Sequence, residues 1–537
     1  MPTLLMVVSL MTRDAMMARL ERHQGSWDVA VVGGGATGAG VAVDAASRGY
    51  SVVLLEGSDF GKGTSSRSTK LVHGGVRYLS QGNISLVLGA LRERAALRAN
   101  APHLVRPLQF VVPSYAWWES PYYGTGLKLY SLLAGRQGFG ASSILSSGEA
   151  LARVPTLRHA GLRGGVTYFD GQFDDARLVV NLVQTAAEQG AVVLNYARVT
   201  GVTTTAGGVA DGITGLDVES GRELRVPARV IVNATGPFAD GVRRLALPGA
   251  PALIAPSQGI HLVFDRSFLP GACGLMVPKT PDGRVMFAVP WHGYTLVGTT
   301  DTPIGEVALE PRPFEEEIAF VLETAAPYFE KAPARADVLS AFAGIRPLVA
   351  RNGTASTSSL SRDHTICLEA SRLVTITGGK WTTYRRMAED AVDAAVDAAG
   401  LPRRACVTRT LRVHGWDPQA ERVGDLAVYG SDASQIQALV GEDSGLGVPL
   451  HPGVLCNGAT ATWAVRAEMA RTVEDVLARR CRALFLDAEA ARTMAPQVAA
   501  ILARELGRDG AWERQQVAEF TTLAARYGVS GAGGATP

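Results

Sequence analysis

The chain has 537 residues, with 52 Lys and Arg against 50 Asp and Glu and a formal net charge of +2. Hydrophobic residues make up 47% and charged ones 19%, which excludes global disorder and leaves room for several cores at ~150 residues each. Near-neutrality argues against a polyelectrolyte partner, so no nucleic acid is expected; the mean hydropathy of +0.11 comes without an apolar run of the ~18 residues a spanning helix needs.

Residues 1–26 carry one short apolar patch, Leu4 to Met11, with no basic segment before it. They fit a signal peptide poorly and are expected to be a disordered leader, with Met11, Met16 or Met17 as alternative starts. From Asp28 to Val32 a buried-strand run enters Gly33-Gly-Gly-Ala-Thr-Gly38. A helix then runs through Arg48 and stops at Gly49, and a second strand, Ser51 to Leu55, ends at Glu56. Strand, glycine fingerprint, helix and an acidic residue about 20 positions on together describe a dinucleotide site. Gly33 permits the tight turn, Gly35 lets the backbone approach a pyrophosphate, and Gly38 allows close helix–strand packing. The helix N-terminus offers free N–H groups to phosphate, and Glu56 suits ribose hydroxyls but repels a 2′-phosphate, so FAD or NAD is favoured over NADP.

The row Gly63-Thr-Ser-Ser-Arg-Ser-Thr-Lys70, then His73-Gly-Gly-Val-Arg-Tyr78, suits an extended diphosphate and a flavin edge. Lys70 carries weight because lysine occurs only at positions 62, 70, 128, 279, 331 and 380. Trp117, Trp118, Tyr122, Tyr123 and Tyr130, interspersed with Lys128 and Arg136, suit either a membrane interface or an aromatic-lined core. Strand signals return at Arg229 to Asn233, at Gly259 to Phe264 around His261, and at Arg372 to Thr377. Gly274 to Val277, Val285 to Pro290 and Tyr294 to Gly298 read as an antiparallel meander turned by Pro281-Asp-Gly283 and Trp291-His-Gly293. From about residue 401 helices take over: Ala461 to Arg480, one capped by Asp487 and ending at Gly507 past Pro496, and Ala511 to Tyr527. The five cysteines form no C-x-x-C pair, so neither a metal site nor a disulfide framework is expected.

The run from Gly33 to Gly38 through Thr64-Ser-Ser-Arg-Ser-Thr-Lys70 to His73-Gly-Gly-Val-Arg-Tyr78 resembles the FAD-dependent, quinone-linked glycerol-3-phosphate dehydrogenases. Val232-Asn-Ala-Thr-Gly-Pro237, Gly259-Ile-His261, Gly298-Thr-Thr-Asp301, Gly344-Ile-Arg-Pro347, Ser361-Arg-Asp363 and Gly378-Gly-Lys-Trp-Thr-Thr-Tyr384 match in order, as do residues 464–480. The resemblance implies an α/β chain, α+β overall. Its expected parts are a Rossmann-like FAD domain of the glycine/D-amino-acid oxidase type, an antiparallel-sheet substrate domain and a helical C-terminal domain. The expected bounds are a 27–400 oxidoreductase module, with FAD-binding parts at 27–110, 165–245 and 340–400 and substrate parts at 111–164 and 246–339, followed by helices over 401–537.

The resemblance further implies oxidation of sn-glycerol 3-phosphate to dihydroxyacetone phosphate, with FAD as cofactor and electrons passed to membrane quinone. Location is then expected to be cytoplasmic and peripheral on the inner membrane face, and a homodimer is allowed for. His261 is the expected base, and Arg346 the group that polarises the developing carbonyl, the division of labour between them staying open. Arg77, Tyr78, Arg362 and Lys380 are expected to hold the substrate phosphate. FAD is expected to meet Gly33, Gly35, Gly38, Glu56, Thr64, Ser65, Ser66, Ser68, Lys70, His73, Gly74, Gly75, Thr235, Gly236, Gly378, Gly379 and Thr382. Two other readings stay open: a glycerol-3-phosphate oxidase using oxygen, and a non-enzymatic FAD-binding sensor.

Overall fold

The computed structural model describes residues 11–76, 79, 83–349 and 364–529. Expectations for Arg77, Tyr78 and Arg362 lie outside the described residues.

The first strand, Trp27–Val32, is buried along nearly its whole length, as a central parallel strand must be. It pairs in parallel with Val52–Leu55 on one side and Glu223–Asn233 on the other, and Val374–Gly378 extends the sheet beyond. Chain segments far apart in sequence therefore build one sheet. The helix Ala36–Ser47 packs on it, with Gly40 against Tyr384 of the helix Tyr384–Ala399.

A second, ten-stranded sheet is almost wholly antiparallel. Its meander Gly274–Val277, Met286–Trp291, Tyr294–Gly298 lies where the turn residues place it, with His292 and Gly293 at φ +48° and +83°. The long strands Val105–Ser114, Gly164–Phe173 and Val338–Val349 also hydrogen-bond in this sheet. Residues 105–110, 165–173 and 340–349, read from sequence as part of the FAD-binding unit, thus belong to the second sheet. Their alternating apolar pattern fits either sheet, and only the pairing decides.

Three further expectations change. Within the leader, Arg13–Arg22 is a helix rather than disordered chain: Thr12 caps it, Met16 and Met17 are buried, and Arg13 pairs with Asp217 at 2.7 Å. The helix expected over 461–480 is broken. An α-helix Gly458–Glu468 ends at Met469 in the left-handed region, and a wider helical turn, Asp475–Arg480, follows. Asp475 holds the break by accepting the N–H groups of Arg471 and Thr472 at 2.7 and 3.1 Å. Finally, the aromatic stretch divides. On the helix Glu119–Ala134, Leu127 and Tyr130 are buried whereas Tyr122 and Leu132 are exposed, as are Trp117 and Trp118 just before it. Asp487 caps the helix Ala488–Leu506 as expected, and Gly507 closes it at φ +63°.

The C-terminal helices do not stand apart. Asp59, beside the first sheet, is buried against Arg479 and Arg480 at 2.5 and 2.8 Å. Arg482 reaches buried Asp174 at 3.0 Å, and Arg177 pairs with Glu468. Asn195 donates to the Met469 carbonyl at 2.8 Å. Burial alone would raise Asp59, yet Arg480 and Arg479 outweigh it and hold the carboxyl down to about 2.

Candidate active site

One cavity of about 670 Å³ runs from the first strand's glycine turn to the antiparallel sheet. Gly33 begins it at φ +103°, where a Cβ would come within 2.9 Å of the Ala234 carbonyl, and a Cβ on Gly38 would collide with the Gly33 oxygen. Only glycine fits either place. Ser65 Oγ accepts the Ala36 N–H at 2.9 Å, capping the helix start from the neighbouring loop. Glu56 Oε2 accepts the Gly34 N–H at 2.7 Å and Oε1 the Ser58 N–H at 2.9 Å; burial raises its carboxyl above the usual range. On the opposite wall, Asn233 accepts from Thr235 Oγ1 at 2.7 Å, and Gly378 and Gly379 take φ +77° and +71°.

At the sheet end, His261 and Arg346 come from adjacent antiparallel strands, Ile254–Asp265 and Val338–Val349. The motif glycines make room for them. A Cβ on Gly259 would run into the Arg346 guanidinium, and one on Gly298 into the His261 ring. Arg346 donates to Asp301 Oδ1 at 3.0 Å and to Thr299 Oγ1 at 3.3 Å, and Ser257 also bonds Asp301. His261 stacks on Phe342 at 5.1 Å, and its Nε2 lies 2.8 Å from Thr69 Oγ1. Burial, then Lys70 and Arg346, hold the imidazole well below its ordinary value, so it is neutral at neutral pH.

Of the residues expected at the site, Gly33, Gly35, Glu56, Thr64, Ser65, Ser68 and His73 line the cavity, as do Thr235, Gly236, His261, Arg346, Gly378, Gly379, Lys380 and Thr382. Others do not. Lys70 is wholly buried, with Nζ 2.8 Å from both Asp175 oxygens and 2.7 Å from the Ser66 carbonyl. Its charge is consumed by that carboxylate, so it is no cofactor ligand. Ser66 donates to the Gly61 carbonyl, and Gly74 lies too close to Leu91 and the Tyr130 hydroxyl to carry a side chain; both are packing positions. Gly38 acts through packing, as expected, and Gly75, at φ +78°, serves the turn rather than the cavity wall. Thr69 and Arg67, in the row Thr64 to Lys70, and Asp301, in Gly298-Thr-Thr-Asp301, carried no role in the sequence reading although both segments matched the family; the hydroxyl row and that match were the signals for Thr69.

The cavity's residues fit FAD: a glycine turn with no room for side chains, a carboxylate where a ribose would lie, and left-handed glycines opposite. Comparison with known proteins agrees. The profile of FAD dependent oxidoreductases matches residues 28–385, and that of the C-terminal domain of alpha-glycerophosphate oxidase matches 372–516. A mitochondrial glycerol-3-phosphate dehydrogenase of Arabidopsis thaliana is 42% identical, across 91% of this chain and 84% of that one. The chain belongs to the FAD-dependent glycerol-3-phosphate dehydrogenase family. The Homo sapiens mitochondrial member is 39% identical, over 94% of this chain and 74% of its own. The solved Bacillus halodurans glycerol-3-phosphate dehydrogenase, complexed with FAD, superposes with a TM-score of 0.78 at 29% identity, covering 97% of this chain and 98% of that one. Membership of this dehydrogenase family makes FAD the cofactor and gives the fold of the glycine-oxidase class.

Proposed function

We propose that the chain oxidises sn-glycerol 3-phosphate to dihydroxyacetone phosphate and passes the electrons to a membrane quinone. The observation that carries this reading is a neutral buried histidine beside an arginine, His261 and Arg346, on adjacent strands that line the FAD cavity, which Lys380 also lines. FAD, when bound, supplies the two-electron acceptor for the hydrogen on the substrate carbon. His261 takes the hydroxyl proton: the substrate O–H bond breaks and an N–H bond forms at Nε2. Because the ring is neutral beforehand, its lone pair is ready without prior deprotonation. Arg346, pinned by Asp301, holds its positive charge at the cavity wall, where it stabilises charge developing on the substrate oxygen. Lys380 supplies a point charge for the phosphate, with Arg77, Tyr78 and Arg362 as further ligands. Glu56 holds the ribose, and the glycine turn with the first helix's N-terminus holds the diphosphate.

Anaerobic addition of glycerol 3-phosphate to the purified protein tests this. Bleaching of the flavin absorbance is expected, and its absence overturns the reading in favour of a sensor or another substrate. Hydrogen peroxide in stoichiometric yield on re-admission of air, with no quinone reduction, would make the protein an oxidase instead.

A further inference from the structure

Thr69 lies between two residues committed to Asp175: Ser68 donates to that carboxylate at 2.7 Å, and Lys70 is buried on it. Thr69 turns the other way, to His261 Nε2 at 2.8 Å, and both side chains line the cavity. The imidazole is confined elsewhere by shape alone. Phe342 stacks on one face, and Gly298 backs Cδ2 so closely that a Cβ would collide. Nδ1 is buried and has no hydrogen-bond partner among the described residues. A half-turn of the ring would put Cε1 where Nε2 stands, and the Thr69 hydroxyl is the contact that distinguishes the two. A hydroxyl donates to a bare ring nitrogen and accepts from a protonated one merely by rotating its hydrogen. The ring nitrogen has a single lone pair and Thr69 occupies it, so the proton that Nε2 gains is the hydroxyl's own, replaced on Oγ1 by the substrate's; Thr69 bonds Nε2 before and after that exchange.

We propose that Thr69 positions His261 and passes the proton to it: its hydroxyl fixes the ring flip, gives its hydrogen to Nε2 and takes the substrate's hydroxyl proton onto Oγ1 in the same step. The proposal rests on the reading of His261 as the base.

The test is the anaerobic rate of flavin bleaching by glycerol 3-phosphate in FAD-loaded Thr69→Val, Thr69→Ser, His261→Ala and Thr69→Val/His261→Ala proteins. Thr69→Val is expected to slow bleaching ~10–100-fold, the scale of a misplaced catalytic group, with half-saturation nearly unchanged. Thr69→Ser, which keeps the hydroxyl, is expected to restore most of the rate. The double variant is expected to be no slower than His261→Ala. Thr69→Val at the parental rate, Thr69→Ser as slow as Thr69→Val, or losses that multiply in the double variant would each overturn the positioning role. His261→Ala at the parental rate would instead overturn the base assignment, and the proposal with it. Should the valine variant lose FAD, Thr69→Ala takes its place in the same comparison.

Discussion

Lys70 and Asp175 form an ion pair at 2.8 Å with neither side chain reached by solvent. Trp291 lies 4.6 Å from the ammonium, and the Ala176 N–H reaches the carboxylate at 2.8 Å. Removing one partner strands the other charge in the interior, which costs about 3–5 kcal/mol. Lys70→Met is therefore expected to lower the midpoint of urea unfolding sharply, and Lys70→Met/Asp175→Leu to recover much of it. An unchanged midpoint in the single variant would show the pair to be dispensable.

Gly38 is the position where added volume hurts the cofactor first, because a Cβ there drives into the Gly33 oxygen at the diphosphate turn. Overpacking costs about 1–3 kcal/mol, and tenfold in affinity is ~1.4 kcal/mol. Gly38→Ala is expected to retain FAD about tenfold more weakly, read as flavin absorbance per protein after dialysis. Full retention would mean that the helix start shifts freely.

Stability is expected to fall on both sides of neutrality. Burial alone would raise Asp59 and Glu474, but Arg480 and Arg479 outweigh it for the first, and Arg479 and Lys62 for the second, holding both to about 2. Depressed carboxylates stabilise the fold above their unfolded values near 4 and lose that contribution as pH drops through about 2. His414 has the opposite sign. Burial would lower it, yet Asp432 and Glu188, at 2.8 and 2.5 Å, raise it to about 10. Its contribution is complete below about 6.5 and disappears as pH rises through about 10. Urea midpoints against pH should show both limbs, and His414→Gln should flatten the alkaline one. A parental alkaline slope in that variant would contradict the assignment.

Catalysis should keep an unusually acid limb. Burial, Lys70 and Arg346 lower His261, so its base form persists below the ordinary histidine value of about 6.5. The flavin bleaching rate is expected to stay level through that pH and to fall only in more acid solution. A limb centred at or above about 6.5 would point to another base.

Trp117 is 78% exposed and Leu132 77%; Trp118 and Tyr122, in ring contact, and Leu129 and Lys128 are also exposed along this segment. No helix among the described residues is long and apolar enough to cross a membrane. This patch is the proposed point of peripheral attachment, since aromatic rings and lysine suit the lipid headgroup region. Trp117→Ser/Trp118→Ser is expected to reduce sedimentation with anionic vesicles several-fold while dye-linked activity is kept. Undiminished sedimentation, or no sedimentation of the parental protein, would overturn attachment through this patch.

The site was legible in sequence wherever a residue type is forced by backbone geometry. Gly33, Gly38 and the left-handed Gly378-Gly379 announce themselves because no other residue fits, and His261 and Arg346 stand beside glycines that clear space for them. Lys70 was misread for the converse reason. Rarity marked it as important, but nothing near it in sequence reveals Asp175, which lies 105 positions away. The break at Met469 was hidden too: residues 461–480 have helical composition throughout, and the contacts that hold the break, Asp475 on the Arg471 and Thr472 N–H groups, exist only once the chain has turned. The exposed and buried halves of the aromatic stretch separated only once the helix had a neighbour to pack against.

The arginines that neutralise Asp59 and Asp174 come from positions 479, 480 and 482. During synthesis the two aspartates leave the ribosome hundreds of residues before their countercharges exist. The nascent flavin-binding sheet must then stay open, or keep those aspartates wet, until almost the whole polypeptide has emerged. The first core therefore reaches its full stability only when the last helices are in place.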